Sequence, residues 1–299
     1  MQLTRRSWLG VISAASLAGG VTNQQRLGLY FVAGKHPEQK CRIAAELDLR
    51  TVEIYNDDFS PAIENEIRSS VRDYYLHPVA LFSMGPGEMV YDFVRGPATI
   101  GLVPRAYRAE RIAHLKAASD SAERLGIPGI ETHCGFIPED PNDPLYRETV
   151  DAVRDVASYC RAKGQRFLYH AGQETAITLM RIIQDVGLDN QGVGLDTANP
   201  VMYAKGNPVD SIEIYGRALG LLNLKDGLFP SDPRKLGKEV PIGKGKVEFQ
   251  RLFEKAKQIG YGGPILIEHE IAGEQWITDL RAAKAYLEPL LQAAAIRRE

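Results

Sequence analysis

Cysteine is scarce in this 299-residue chain: there are three, and no two stand close together. A disulfide framework needs pairs, and a thiolate metal site needs close Cys or His spacings, so Cys41, Cys134 and Cys160 point to neither. Cys41 and Cys160 fall within helical patterns and read as buried apolar fillers. Charge excess is lacking too. A formal net charge of −2 gives no electrostatic reason to expect nucleic acid or an acidic membrane surface as a partner. No apolar run reaches the ~18 to 20 residues that cross a bilayer, so no membrane span is expected. A Gly-rich phosphate loop after the first strand candidate is also missing, since Gly34-Lys35-His36-Pro37 is not one; this disfavours a doubly wound open sheet. No Pro/Gly/Ser linker, internal repeat or low-complexity tract divides the chain, which predicts a single folded domain.

What is present begins with a distinct N-terminus. Arg5 and Arg6 precede the short apolar stretch Trp8–Ala18, with small residues at Ser16 and Ala18. A charged segment, a short apolar core and a small-residue cleavage site predict a signal peptide, and the adjacent arginines resemble the twin-arginine class. Residues 1–25 are therefore expected to be signal and short linker, residues 26–299 the mature domain, and the destination the periplasm. Gly20 stands where a lipoprotein signal would need cysteine, so no lipid anchor is expected.

Short β-rich runs then alternate with amphipathic stretches to the end of the chain. The strand candidates are Leu27–Val32, Thr51–Tyr55, Pro78–Ser83, Gly129–His133, Arg166–His170, Gly192–Asp196, Leu221–Lys225 and Pro264–His269. Most are continuously apolar rather than alternating, as parallel strands covered on both faces should be. Helices are predicted over Ala106–Leu125, Leu145–Lys163, Thr175–Val186 and Val247–Ile259, among others. Gly126, Gly164, Gly187 and Gly260 follow last helical turns, where a residue of positive φ is wanted. Eight β-then-α units predict an α/β fold, a closed (β/α)8 TIM barrel. The connections after the third, fourth, sixth and seventh strands are long, which predicts a deep, walled site on the face where the strands end.

The polar residues at those strand ends are Glu53, His133, His170, Asp196, Asn223 with Lys225 and Asp226, and Glu268 with His269 and Glu270. Barrel closure would gather them at one mouth, although a single strand-end histidine is more often a hydrogen-bonded structural residue. Arg105, Arg108 and Arg111 read as a solvated helix face, and His36, His77 and His114 as solvated or locally bonded. Tyr91, Phe93 and Phe136 sit in long loops where an aromatic ring can stack on a sugar.

Four strings in order carry a resemblance: Gly172-Gln173-Glu174-Thr175, Gly194-Leu195-Asp196-Thr197-Ala198-Asn199, Asn223-Leu224-Lys225-Asp226-Gly227 and Gly263-Pro264-Ile265-Leu266-Ile267-Glu268. Together, over roughly Leu27 to Leu287, they resemble the xylose-isomerase-like TIM barrels, the sugar phosphate isomerase/epimerase superfamily. The resemblance implies one divalent metal (Mn2+, Co2+, Mg2+ or Zn2+) held at the ends of strands five to eight by Glu, Asp, His and Glu. Asp196 and Glu268 match that pattern, whereas His170 stands for the first glutamate and Asn223 for the histidine. Two carboxylates instead of three predict weaker metal binding, with a metal-free site as the alternative. The resemblance further implies Glu268 as acid/base, with His170 or Glu174 as its counterpart and His133, Asn199, Lys225 and Phe136 toward the substrate. If His170 holds the metal it cannot also serve as base; Glu174 or His133 would then supply the second proton-transfer group. Three functions are left open: isomerase or epimerase of an unphosphorylated sugar, inositol or keto-sugar; lyase or hydrolase of a keto-glycoside; and a non-catalytic sugar-binding barrel. A small-molecule sugar is the expected partner, and a homo-oligomer is neither required nor contradicted.

Overall fold

The computed structural model describes residues 27–296. The expected signal peptide and export destination lie outside the described residues. Eight parallel strands close into a barrel: β1 (Leu27–Val32), β2 (Thr51–Tyr55), β3 (His77–Phe82), β4 (Gly129–Thr132), β5 (Arg166–Ala171), β6 (Gln191–Asp196), β7 (Leu219–Leu224) and, last in the chain, β10 (Ile265–Ile267). β1 pairs with both β2 and β10, which completes the ring. Around it run α1 (Pro37–Glu46), α2 (Pro61–Asp73), α4 (Arg105–Leu125), α5 (Pro144–Ala162), α6 (Ala176–Val186), α8 (Pro208–Tyr215), α9 (Phe249–Gln258) and α10 (Trp276–Ala294). This is the predicted (β/α)8 TIM barrel in one domain. Two one-turn helices, α3 (Gly96–Thr99) and α7 (Asn199–Met202), and an antiparallel hairpin, β8 (Asp226–Leu228) with β9 (Lys238–Val240), lie in the long connections.

Successive residues of a strand point to opposite faces, and the strands sort accordingly. Leu29, Phe31, Val52, Ile54, Ile130, Phe167, Val193, Leu195, Leu222 and Ile267 belong to the large core between barrel and helices. The alternate residues face inward. Deep inside, Ala80, Leu168, Leu221 and Leu266 form a small separate apolar layer. Two residues further along β5, β7 and β10 stand His170, Asn223 and Glu268, all buried. The same alternation that builds a dry plug thus places polar side chains directly above it, toward the strand ends.

Helix ends follow the sequence. Gly126, Gly164, Gly187 and Gly260 all have φ between 70° and 72°, the left-handed cap that glycine adopts without strain. The Asp143 carboxylate caps α5 by accepting from the Leu145 amide at 2.8 Å, with Pro144 in the first turn. The three cysteines are free and buried.

Two buried side chains fix the long loops. Arg111 was expected on a solvated face, yet it is fully buried: its guanidinium donates to the carbonyls of Pro86, Glu88, Thr99 and Gly101 at 2.6–3.0 Å. It therefore pins the β3–α4 connection from beneath. Arg105 and Arg108 instead share Glu148. Asp226, one of the polar strand-end residues, accepts from the amides of Gly227, Gly243, Gly245 and Val247 at 2.8–3.0 Å and ties down the β7–α9 connection.

Candidate active site at the barrel mouth

At the C-terminal ends of β5, β6 and β10, His170, Asp196 and Glu268 each offer a ligand atom within 4.8 Å of the others. His170 Nε2 stands 3.6 Å from Asp196 Oδ2 and 3.9 Å from Glu268 Oε2. The backbone sets Asp196: its Oδ1 accepts from the amides of Ala198 and Asn199 at the start of α7, at 2.8 and 3.1 Å, which leaves Oδ2 to the site. Across from it Lys225, one alternation beyond Asn223 on the β7 face, places Nζ 2.7 Å from Asp196 Oδ2 and 2.9 Å from each of Glu268 Oε1 and Glu270 Oε2. The ammonium donates hydrogen bonds to Glu268 Oε1 and Glu270 Oε2, while Asp196 Oδ2 faces it as an ion pair and makes no hydrogen bond. Lys225, expected toward the substrate, lines the cavity and is at the same time paired with these acids.

Beneath this layer lies a feature the sequence reading missed. Glu131, on β4, accepts from His170 Nδ1 at 2.7 Å, and its carboxylate fills the space where a side chain at residue 194 would begin, so a larger residue there would displace it. Glu131 also meets Glu53 carboxyl to carboxyl, and Glu53 in turn accepts from Asn223 Nδ2 at 2.9 Å. The signal was available: Glu131 shares strand phase with His133. Asn223, expected as the fourth metal ligand, turns its amide to Glu53 and lines this inner network; its Oδ1 makes no hydrogen bond.

The electrostatics follow from burial and close charges. Burial would lower His170, but Glu268, Asp196 and Glu131 outweigh it and raise the imidazole well above its ordinary value. Burial likewise works against the Lys225 ammonium, and Asp196, Glu268 and Glu270 raise it. Burial would raise Asp196, yet Lys225 and His170 hold it well below the usual carboxylate range. Glu268 is pushed up to about 8 by burial, against the pull of Lys225 and with the push of Asp196. Burial, then the Glu131 charge, raises Glu53. His133 goes the other way: burial and the His170 and Lys225 cations lower it, so it is neutral. Its Nδ1 lies 3.0 Å from Gln173 Oε1, while Gln173 Nε2 donates to the Tyr203 hydroxyl at 3.2 Å. That amide orientation puts the His133 proton on Nδ1 and leaves Nε2 with a lone pair.

A cavity of about 560 Å3 opens above these groups, lined by His133, His170, Asn199, Lys225, Glu268 and Glu270 on its polar side. Tyr30, Tyr55, Phe82, Met89 and Tyr91 line the other. Two expected residues lie elsewhere. Phe136 packs behind Tyr203, ring centroids 5.7 Å apart, and Glu174 is buried before α6, its Oε1 accepting from the Gly172 amide at 3.5 Å. Neither is among the lining residues.

His170, Asp196 and Glu268 fit a divalent cation. Glu268 Oε2 is a buried oxygen with no hydrogen bond, and Glu131 on Nδ1 leaves Nε2 of His170 as the coordinating atom. Loading the ion requires His170 to lose its second proton, so metal and proton compete there.

A closed parallel barrel with a convergent acid–imidazole cluster at its strand ends defines an α/β-barrel protein with its site in the usual place. Residues 41–289 match the xylose isomerase-like TIM barrel family, and the chain belongs to that family. It is similar to the crystal structure of a xylose isomerase domain protein from Planctomyces limnophilus, at 29% identity and TM-score 0.84 over 91% of this chain and 99% of that one. The fold is shared with a D-psicose 3-epimerase (18% identity, TM-score 0.66, 89% and 99% covered). It is shared as well with the 3-keto-D-glucoside 4-epimerase of E. coli (15%, 0.67, 89% and 100%). An uncharacterized protein of Methanocaldococcus jannaschii is 24% identical over 52% of this chain, which spans about half (55%) of that protein.

Proposed function

We propose that this protein is an isomerase or epimerase of an unphosphorylated sugar, inositol or keto-sugar, moving a proton at the carbon beside a carbonyl. The observation that carries the reading is Glu268: a buried carboxyl pushed up to about 8, with Oε2 free of hydrogen bonds, facing the cavity beside His170. A carboxyl so placed takes a proton from carbon and returns it near neutral pH. His133 is the second proton-transfer group, neutral and with its Nε2 lone pair fixed by Gln173. Two proton-transfer groups permit removal from one face of the substrate and delivery to the other. Lys225 holds Glu268 and Asp196 in place, and Asn199 lines the cavity within reach of substrate hydroxyls. If bound, a divalent cation would be held by His170, Asp196 and Glu268 and would supply Lewis-acid polarisation of the substrate carbonyl; Glu268 Oε2 would then be a ligand, so its raised proton affinity belongs to the metal-free site.

The missing phosphate follows from charge. Among the described lining residues Lys225 is the one lysine or arginine, and three carboxylates already surround it. The similarity in fold to epimerases of free ketoses and of a keto-glucoside is consistent with this substrate class. The arginine pair and apolar stretch of the N-terminus support export to the periplasm, away from the main pool of sugar phosphates.

The test is incubation of ketoses, keto-inositols and keto-glucosides in deuterated water, followed by NMR. Deuterium beside the carbonyl with an epimer or isomer as product is the expected result. Release of an aglycone would reassign the protein to elimination or hydrolysis, and no exchange with any of these sugars would contradict catalysis.

A further inference from the structure

The cavity is much larger and more apolar than one sugar ring needs. A hexose of twelve heavy atoms occupies on the order of 200 Å3 if each atom takes about half of water's ~30 Å3 share. The cavity measures about 560 Å3. Its polar groups are gathered on one side, on β4 to β10, so a ring bound by hydrogen bonds must sit there.

The opposite side is built differently. Tyr30, Tyr55 and Phe82, from β1, β2 and β3, pack edge-on, with Phe82 5.7 Å from the Tyr30 centroid and 5.1 Å from that of Tyr55. With Met89 they form an apolar cluster distinct from the main core. The Tyr55 hydroxyl lies toward the Asp57 carboxylate, whose charge acts on it, and its ring lines the cavity. Tyr91, half exposed, extends the wall outward on the loop that Arg111 pins. Across the opening Met202 and Leu236 add further apolar surface. One pyranose stacks on one or two rings; this wall offers four rings and Met89, with Met202 and Leu236 opposite.

We propose that the ligand is a glycoside: a keto-sugar ring over His133, His170 and Glu268, with an uncharged planar or apolar aglycone against Tyr55, Phe82, Met89 and Tyr91. This rests on the sugar reading above and adds the second half of the ligand. The charges nearest the wall are carboxylates, Glu270 beside Tyr30, Tyr55 and Tyr91 and Asp57 beside Tyr55, so an anionic aglycone would be repelled, while the rings themselves favour an uncharged one.

The experiment compares methyl and phenyl 3-keto-β-D-glucosides by calorimetric titration of the full chain. The phenyl compound is expected to bind about tenfold more tightly or better, from burial of its ring. Tyr91→Ala and, separately, Met89→Ala should shrink that ratio toward one. Equal affinity for both glycosides, or a ratio unchanged in both variants, overturns the aglycone site while leaving the sugar reading intact. Binding of neither compound overturns this inference, while the sugar reading stands or falls on the deuterium exchange of ketoses and keto-inositols.

Discussion

The two halves of the barrel mouth solve opposite problems. From β5 to β10 the inward positions carry His170, Asp196, Lys225 and Glu268, four ionisable groups with almost no exposure. From β1 to β3 the same inward positions carry Tyr30, Tyr55 and Phe82. The ionic half is costly to build, because buried charges are tolerable only when each one has a partner. The aromatic half costs little and contributes through packing. Phe82 is the seam, with its ring 5.0 Å from His170 and 5.8 Å from His133. The difference teaches that one half holds ionisable groups whose charges shift one another's proton affinities, while the other offers rings for packing.

The largest effect should come from removing the ammonium at the centre of the ionic half. Lys225→Met leaves Asp196 and Glu268 buried without their cation, which is expected to cost about 3–5 kcal/mol. In thermal unfolding that is a fall of roughly 10 °C, and added Mn2+ should restore part of it by taking the vacated charge role. Phe82→Leu, across the seam, should cost roughly 1.5 kcal/mol or less, with no response to metal. Equal losses in the two variants would erase the distinction between the halves.

A smaller effect sharpens the comparison from outside both halves. Burial pushes Glu174 up to about 8, with no cation in contact, so the folded protein keeps it protonated at pH 7 while the unfolded chain, near ~4.3, does not. The folded state then binds the extra proton, and stability falls as pH rises from about 5 until it levels near 8. Glu174→Gln should lack this contribution, and its advantage over the wild type should widen by at most about 1.4 kcal/mol per pH unit between pH 6 and 8. Urea titrations at pH 6, 7 and 8 check it. A constant gap would mean that Glu174 is ionised and paired in the fold.

Much of the architecture was legible because the signals were local. Apolar runs, glycines after helices and the spacing of eight units required nothing beyond strand and helix periods. The β8–β9 hairpin was not legible, since its strands are three residues each inside a polar loop. Of the site, Asp196, His170 and Glu268 were readable from their strand-end positions. Their partners were not, because partnership is set by closure across the ring. Lys225 neighbours Asp226 in sequence but pairs with Asp196 and Glu268, and Asn223 turns to Glu53, 170 residues away. Glu131 and the aromatic wall shared strand phase with recognised positions, and counting inward residues strand by strand would have found them. Arg111 was misread since a helix arginine is usually solvated; here backbone carbonyls replace water.

The central claim is that Glu268 exchanges a proton with substrate carbon while the β1–β3 wall only binds. The direct measurement is the rate of deuterium wash-in to a keto-glucoside for wild type, Glu268→Gln and Tyr91→Ala. Glu268→Gln should lower kcat by about 10²- to 10⁴-fold with KM little changed, and Tyr91→Ala should raise KM with kcat nearly intact. Wash-in by Glu268→Gln at the wild-type rate would contradict the account.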